Sequence, residues 1–212
     1  MEKVNRFARG FILCILLVTV LIGLAMIFYP IPYSWPKQFL SALGATRLRN
    51  GTSNMLSSIL FNIALLLSGV MSAFYFYLRG QKTKGKIKKY LLPFFGIVGG
   101  IGLLGIGFFP YNVAPNIHNL CTGIAAWGIG PAIILCPNSA KILKFRLSED
   151  ILWILFGLFV AVLWISLNVL RHTMLPWTPT AQIQQKIMIG FFWMYILWNS
   201  IALFLRTKTK KI

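Results

Sequence analysis

The residues best suited to chemistry are a histidine and a serine set in separate polar gaps. His118 lies in Phe109-Pro110-Tyr111-Asn112-Val113-Ala114-Pro115-Asn116-Ile117-His118-Asn119, just ahead of a long apolar run. Proline in the first turn of a helix loses nothing by lacking an N–H, so Pro115 marks a helix start. His118 then sits near the positive end of that helix, where the dipole disfavours an imidazolium. A neutral imidazole can accept, donate or act as a general base. With Ser41 as nucleophile it would suit acyl transfer or hydrolysis, provided the two come within about 3 Å. The orienting carboxylate of a triad is missing, which leaves Asn119 or Asn62 to hold the ring. Thr122 shares the face of His118 at i+4. The structural alternative is a histidine that ties down a loop.

The other unusual polar residues enter from the same side. Ser41 belongs to the longest gap, PIPYSWPKQFLSALGATRLRNGTSN, where Ser41-Ala42-Leu43-Gly44-Ala45 suggests a short re-entrant or interfacial turn. Asn62 lies about two turns inside an apolar run, where an unpaired amide is expensive. It makes either an interhelical hydrogen bond worth about 0.6–2 kcal/mol or a contact to substrate. Gln182, Gln185 and Lys186 fall at i, i+3 and i+4 on one face of the last run. Such a stripe points into the bundle, or Lys186 snorkels to the headgroups. Buried polar groups in lipid must find partners, so Ser41, Asn62, His118, Asn119 and Gln185 are expected to converge. With Gln182 and Lys186 they form the candidate substrate-binding set. Asn50-Gly51-Thr52 fits a glycosylation sequon or an ordinary turn.

Much chemistry is excluded by what is missing. The three acids are Glu2, Glu149 and Asp150, and none lies within an apolar run. Ion-coupled carriers that use a buried carboxylate, intramembrane aspartyl proteases, His-Glu-x-x-His zinc proteases and magnesium-dependent phosphoryl transfer all need acids inside. Cys14, Cys121 and Cys136 show no metal-ligand spacing and read as small core hydrophobes. No metal, disulfide or cofactor is expected.

These residues must be positioned by membrane helices. Six apolar runs fill the chain, at about Phe11–Tyr29, Leu56–Tyr77, Tyr90–Phe109, Ile117–Cys136, Ile151–Leu170 and Ile187–Leu205. Each suits the roughly 20 residues needed to cross a core about 30 Å thick. The expected fold is therefore all-α: one polytopic transmembrane domain, a six-helix bundle. The first run is too long for a signal peptide and ends in no cleavage site, so it reads as a retained helix. Sixteen of the 21 Lys and Arg residues fall at the termini and in the second and fourth gaps. The positive-inside rule then places both termini in the cytoplasm and the Ser41, His118 and Lys186 gaps outside. The net charge of +18 is thus accounted for by orientation and by anionic headgroups on the cytoplasmic side, not by nucleic acid. The Arg79–Lys89 gap reads as a solvated hairpin. Six glycines in the third run, including Gly96 and Gly100 in a Gly-x-x-x-Gly spacing, signal close helix packing.

Three segments carry a family resemblance: YPIPYSWPKQFLSALGATRLRNGTSNMLSSILFNIALLLSG, GFFPYNVAPNIHNLCTGIAAW and QKIMIGFFWMYILW. They resemble the six-helix prokaryotic membrane family known as domain of unknown function 998. The landmarks are Ser41-Ala42-Leu43-Gly44, Phe109-Pro110 with His118-Asn119, and Lys186. Gln185-Lys186 stands where an acid–base pair such as Glu-Arg is expected, so an ion pair does not carry over. The resemblance implies fold and topology but no activity. A weaker similarity to eukaryotic six-helix proteins linked to lipid handling is analogy alone.

Three functions fit these readings. The first is a lipid-binding, lipid-transport or lipid-remodelling accessory role in the cytoplasmic membrane, through an external polar pocket. The second is an intramembrane acyl-transfer or hydrolytic enzyme with His118 as base. The third is a small-solute channel or carrier, for which no internal repeat is visible. The topology has a direct test. A cysteine placed at Lys84 should react with an impermeant thiol reagent only in opened cells, and one at Asn112 should react in intact cells. Labelling of position 84 from outside would reverse the orientation.

Overall fold

The computed structural model describes residues 2–83, 85–136, 158 and 181–209. Five of the described helices are long and apolar enough to cross a membrane. They are α1 (Glu2–Ile27), α2 (Met55–Gln81), α3 (Lys86–Phe108), α4 (Pro115–Leu135) and α5 (Ala181–Thr209). A helix closes its own backbone hydrogen bonds, which is why apolar stretches of this length adopt it in lipid. The sixth apolar run is α5. The fifth run, 151–170, lies outside the described residues apart from Leu158, as do His172, Glu149 and Asp150. The expected count of six spans therefore stands at five among the described residues.

The helices overrun the apolar runs at most of their ends. α1 begins at Glu2 and α5 continues to Thr209. Polar residues end a hydrophobic run but not a helix, because outside the hydrocarbon core they face water and headgroups. The α2–α3 connection is shorter than the expected Arg79–Lys89 hairpin. α2 runs to Gln81, and Gly85 takes φ +102° just before α3, a conformation open to glycine. Arg79 is not a solvated loop residue. It stands in the last turns of α2, and its Nε donates to Cys136 Sγ at 3.3 Å. All three cysteines are free thiols.

α2 packs on α1 and α3, α3 on α4, and α1 on α5. α3 makes two contacts through two glycine faces. A β-carbon on Gly100 would lie 2.6 Å from the Gly69 carbonyl of α2, and one on Gly107 3.0 Å from the Asn62 carbonyl. On the other face, a β-carbon on Gly99 would lie 2.8 Å from the Ile129 nitrogen of α4, and one on Gly105 would strike the Cys121 sulfur. Small residues thus let three backbones touch, which gives dispersion contact where lipid supplies no hydrophobic drive between helices. The α1–α2 seam is instead aromatic, with Phe11 edge-on to Tyr75 at 5.2 Å and Phe7 edge-on to Phe74 at 5.6 Å. The outer surface keeps large apolar side chains exposed, among them Leu13, Val20, Ile101 and Met194. This is the surface of a protein whose solvent is lipid.

The glycine contacts predict a sharp contrast within α4. Gly128→Ala would drive a methyl group into the Gly99 backbone and should destabilise by about 1–3 kcal/mol. Gly130→Ala has nothing within 4 Å and should be neutral or slightly stabilising. Thermal melting of both variants in detergent checks this.

Candidate functional site

At one end of the bundle, residues 28–54 join α1 to α2 and residues 109–114 join α3 to α4. Within the first connection, Leu40–Gly44 forms a 3-10 turn that packs on α2 and α5. Leu40, Leu43 and Gly44 are buried, so the turn inserts rather than lying on the surface. Its backbone groups need partners there, because buried backbone N–H and C=O must be paired.

α2 supplies the carbonyls' partners. Asn54 Nδ2 donates to Leu43 O at 3.1 Å and to Ala45 O at 2.6 Å. Ser57 Oγ donates to Leu43 O at 3.2 Å, and Ser58 Oγ to Gly44 O at 2.7 Å. Asn62 Nδ2 reaches Gly44 O at 3.3 Å and Ser58 Oγ at 3.2 Å. Asn54, Ser57, Ser58 and Asn62 share one helical face. A β-carbon on Gly44 would lie 2.7 Å from both Asn62 Oδ1 and the Phe61 ring, so only glycine lets the turn sit this close.

α5 closes the other side. Gln185 Oε1 accepts from Leu40 N at 2.8 Å. Lys186 is 6% exposed and points inward, with Nζ donating to Gln38 O and, at 3.2 Å, to Gln182 O. Tyr33 and Trp35 face the same ammonium, with ring centroids 5.6 and 5.4 Å from Nζ. Tyr33 also donates to Gln38 O at 3.3 Å. Burial, and then neighbouring Tyr29, push the Tyr33 phenol well above its ordinary pKa, so it remains a neutral ring beside the cation. No carboxylate pairs with Lys186 among the described residues.

The α3–α4 connection is tied to this unit by Asn112. Its Oδ1 accepts from Thr46 N at 3.0 Å and its Nδ2 donates to Thr46 Oγ1 at 2.9 Å. His118, 5% exposed, secures the connection from within. Its Nδ1 is 2.8 Å from the Phe109 carbonyl, which can only accept, so Nδ1 carries the proton. Tyr111 stands edge-on to the ring at 5.7 Å. The hydroxyl of Thr122 donates to the His118 carbonyl at 2.9 Å.

The Leu40–Gly44 turn, of which Ser41 is a member, thus joins Asn62 and Gln185 in one hydrogen-bonded unit through Gly44 and Leu40, with Lys186 and the Gln182 carbonyl beside it. His118 stands in the adjoining loop unit. No hydrogen bond joins His118 to Ser41, Asn62 or Asn119 among the described residues. Asn119 is exposed, and the Ser41 hydroxyl makes no hydrogen bond among the described residues. Asn54, Ser57, Ser58, Asn112 and Gln38 were not singled out in the sequence. The i, i+3, i+4, i+8 stripe from Asn54 to Asn62 carried the same kind of signal as Gln182, Gln185 and Lys186. The Asn50-Gly51-Thr52 stretch is a turn in which Asn50 Oδ1 accepts from Thr52 N at 3.1 Å, with Gly51 at φ +84°.

A family model described as a protein of unknown function, DUF998, matches residues 12–206. The chain belongs to the DUF998 family. That span runs from α1 through α5, so the family model includes the whole hydrogen-bonded unit. Neither the curated proteins nor the solved structures contain a match to this DUF998 chain. Its apolar helices mark it as a multi-pass membrane protein.

The unit predicts an order of damage. Asn54→Ala leaves Ser57 on the Leu43 carbonyl but strips the Ala45 carbonyl of its side-chain partner, and should cost about 1–3 kcal/mol of stability. Asn62→Ala leaves Ser58 on the Gly44 carbonyl and should cost about 1 kcal/mol or less. Melting in detergent, with the two variants side by side, tests the ranking.

Proposed function

We propose that the protein is a lipid-binding component of the cytoplasmic membrane, serving lipid transport or remodelling without catalysing a reaction. Its headgroup site is the Lys186 end of the bundle, which the positive-inside distribution of Lys and Arg puts on the outer side. The observation that carries the reading is that no carboxylate meets the buried Lys186 ammonium among the described residues. A buried ammonium normally has a carboxylate partner. Here two carbonyls and two aromatic rings orient it, and its third N–H has no acceptor among the described residues. Tyr33 and Trp35 suit the headgroup layer, where Trp and Tyr concentrate. Trp35 is 57% exposed, which opens the site toward lipid. A headgroup phosphate is the anion at hand in that layer.

The enzyme reading draws less support. A base must come within hydrogen-bond reach of its nucleophile. The His118 Nδ1–H is committed to Phe109, and Ser41 has no hydrogen-bonded base among the described residues. The role of His118 is then to hold the loop that Asn112 fastens to Thr46.

The test is lipid retention by the full chain released from vesicles of phosphatidylglycerol and phosphatidylcholine, read by native mass spectrometry. Lys186→Met should reduce retained phosphatidylglycerol about fivefold, the equivalent of roughly 1 kcal/mol for one charge at a headgroup. Lys186→Arg should retain most of it. Unchanged retention in a folded Lys186→Met protein would overturn the headgroup reading.

A further inference from the structure

A second feature lies at the opposite end of the bundle, far along α2 from the Asn54 stripe. A cavity of about 230 Å³ opens there between α1, α2 and α5. Phe7 and Phe11 of α1, Leu78 of α2 and Leu203 of α5 give it apolar walls. Phe7, Leu78 and Leu203 are half-buried and Lys82 is exposed, so these form the rim, with Phe11 buried behind them. α2 ends at Gln81, so the rim lies where hydrocarbon gives way to headgroups.

The polar groups around this space are committed elsewhere. Ser200 Oγ donates to the Ile196 carbonyl at 2.7 Å and Asn199 Nδ2 to the Tyr195 carbonyl at 3.0 Å, both within α5. Arg79 Nε donates to Cys136 Sγ. Tyr75 has a buried hydroxyl with no hydrogen-bond partner among the described residues. One donor does not hold a water, which needs about two to four polar partners. Water and ions are therefore poor fillers. An empty space is no better, because wall atoms that face a void lose their dispersion contacts. Elsewhere the bundle closes to backbone contact, as at Gly69 and Gly100. The apolar matter at hand in a membrane is the lipid chain.

We infer that this cavity seats one hydrocarbon chain of a lipid from the surrounding leaflet, selected by the chain and not by the headgroup. Size sets how much of the chain enters. An apolar cavity of about 150 Å³ takes a benzene ring of six carbons, so 230 Å³ takes a segment of about nine. The rim lies at the headgroup boundary, so this segment is the upper part of the chain, and the headgroup stays outside. Phe11 and Tyr75, edge-on at 5.2 Å, present rigid aromatic surface to the segment from α1 and α2. The site needs no charge and lies away from Lys186, so it stands independently of the headgroup reading.

The experiment uses the full chain in nanodiscs that contain phosphatidylcholine with a diazirine in the upper third of one acyl chain. Irradiation forms adducts, and peptide mass spectrometry locates them. Phe11 is 8% exposed and Leu13, two residues along the same helix, is 65% exposed. Contact with bulk lipid alone would favour Leu13. A seated chain should instead give Phe11 several-fold more adduct than Leu13. The same probe built on phosphatidylglycerol should give the same ratio. Leu203→Trp fills the space from α5 and should bring Phe11 below Leu13, with the Leu13 adducts unchanged. Melting temperature reports whether this variant is folded, and should it fail to fold, the wild-type ratio decides the matter. More adduct at Leu13 than at Phe11 in the wild type would overturn the inference, as would an undiminished ratio in folded Leu203→Trp. Enrichment at Phe11 with phosphatidylglycerol alone would overturn it too, because charge and not the chain would then select the lipid.

Discussion

A polypeptide that turns back into a membrane protein must leave no backbone group unpaired, and the Leu40–Gly44 turn meets that demand with side chains from two helices. Its carbonyls accept from Asn54, Ser57, Ser58 and Asn62 on α2, and the Leu40 N–H donates to Gln185 on α5. Water would do this at a surface. Here burial removes water, so the first turns of α2 carry amides and hydroxyls where an ordinary membrane helix carries leucine. The glycine at position 44, the inward Lys186 and the Asn112–Thr46 pair all follow from fixing this one insertion.

The two ends of the bundle use polar residues in opposite ways. At the Ser41 end most donors are directed at backbone carbonyls, which makes that end a hydrogen-bonded cap beside the buried Lys186 ammonium. At the Arg79 end polar residues edge a cavity, and the Tyr75 hydroxyl has no hydrogen-bond partner among the described residues. Between them, the glycine faces of α3 draw α2, α3 and α4 together, with Phe76, Leu66 and Ile129 packed directly on glycine. The aromatic α1–α2 seam is bulkier and leaves room for the cavity beside it.

Spans were legible in the sequence because lipid rewards long apolar runs whatever their neighbours. Their ends were less legible, since Arg79 and Lys88 interrupt a hydrophobic run without stopping a helix. The need of Asn62 for a partner could be read from its depth, but not that the partner is the carbonyl of Gly44, eighteen residues upstream. Gln185 and Lys186 stood out by spacing and polarity. Their partners Leu40 and Gln38 are backbone atoms, and no residue type announces a backbone acceptor. His118 was visible as an unusual group. Its proton position is fixed by the Phe109 carbonyl, which only three-dimensional structure reveals. Arg79 misled, because its place in a basic gap suggested a solvated loop, whereas the helix continues past it.

The hydrogen bond from Leu40 to Gln185 spans 145 positions of the chain. During synthesis the first loop therefore emerges long before the residue that completes it. Until α5 arrives, the turn has its α2 partners but lacks its anchor on the far side, and Lys186 has yet to meet the Gln38 carbonyl. α5, made after the other described helices, thus acts as the latch on the Leu40–Gly44 loop. Assembly of this end joins two stretches of chain made far apart in translation, and a nascent chain stalled after α4 presents an unlatched loop to whatever quality control surveys the membrane.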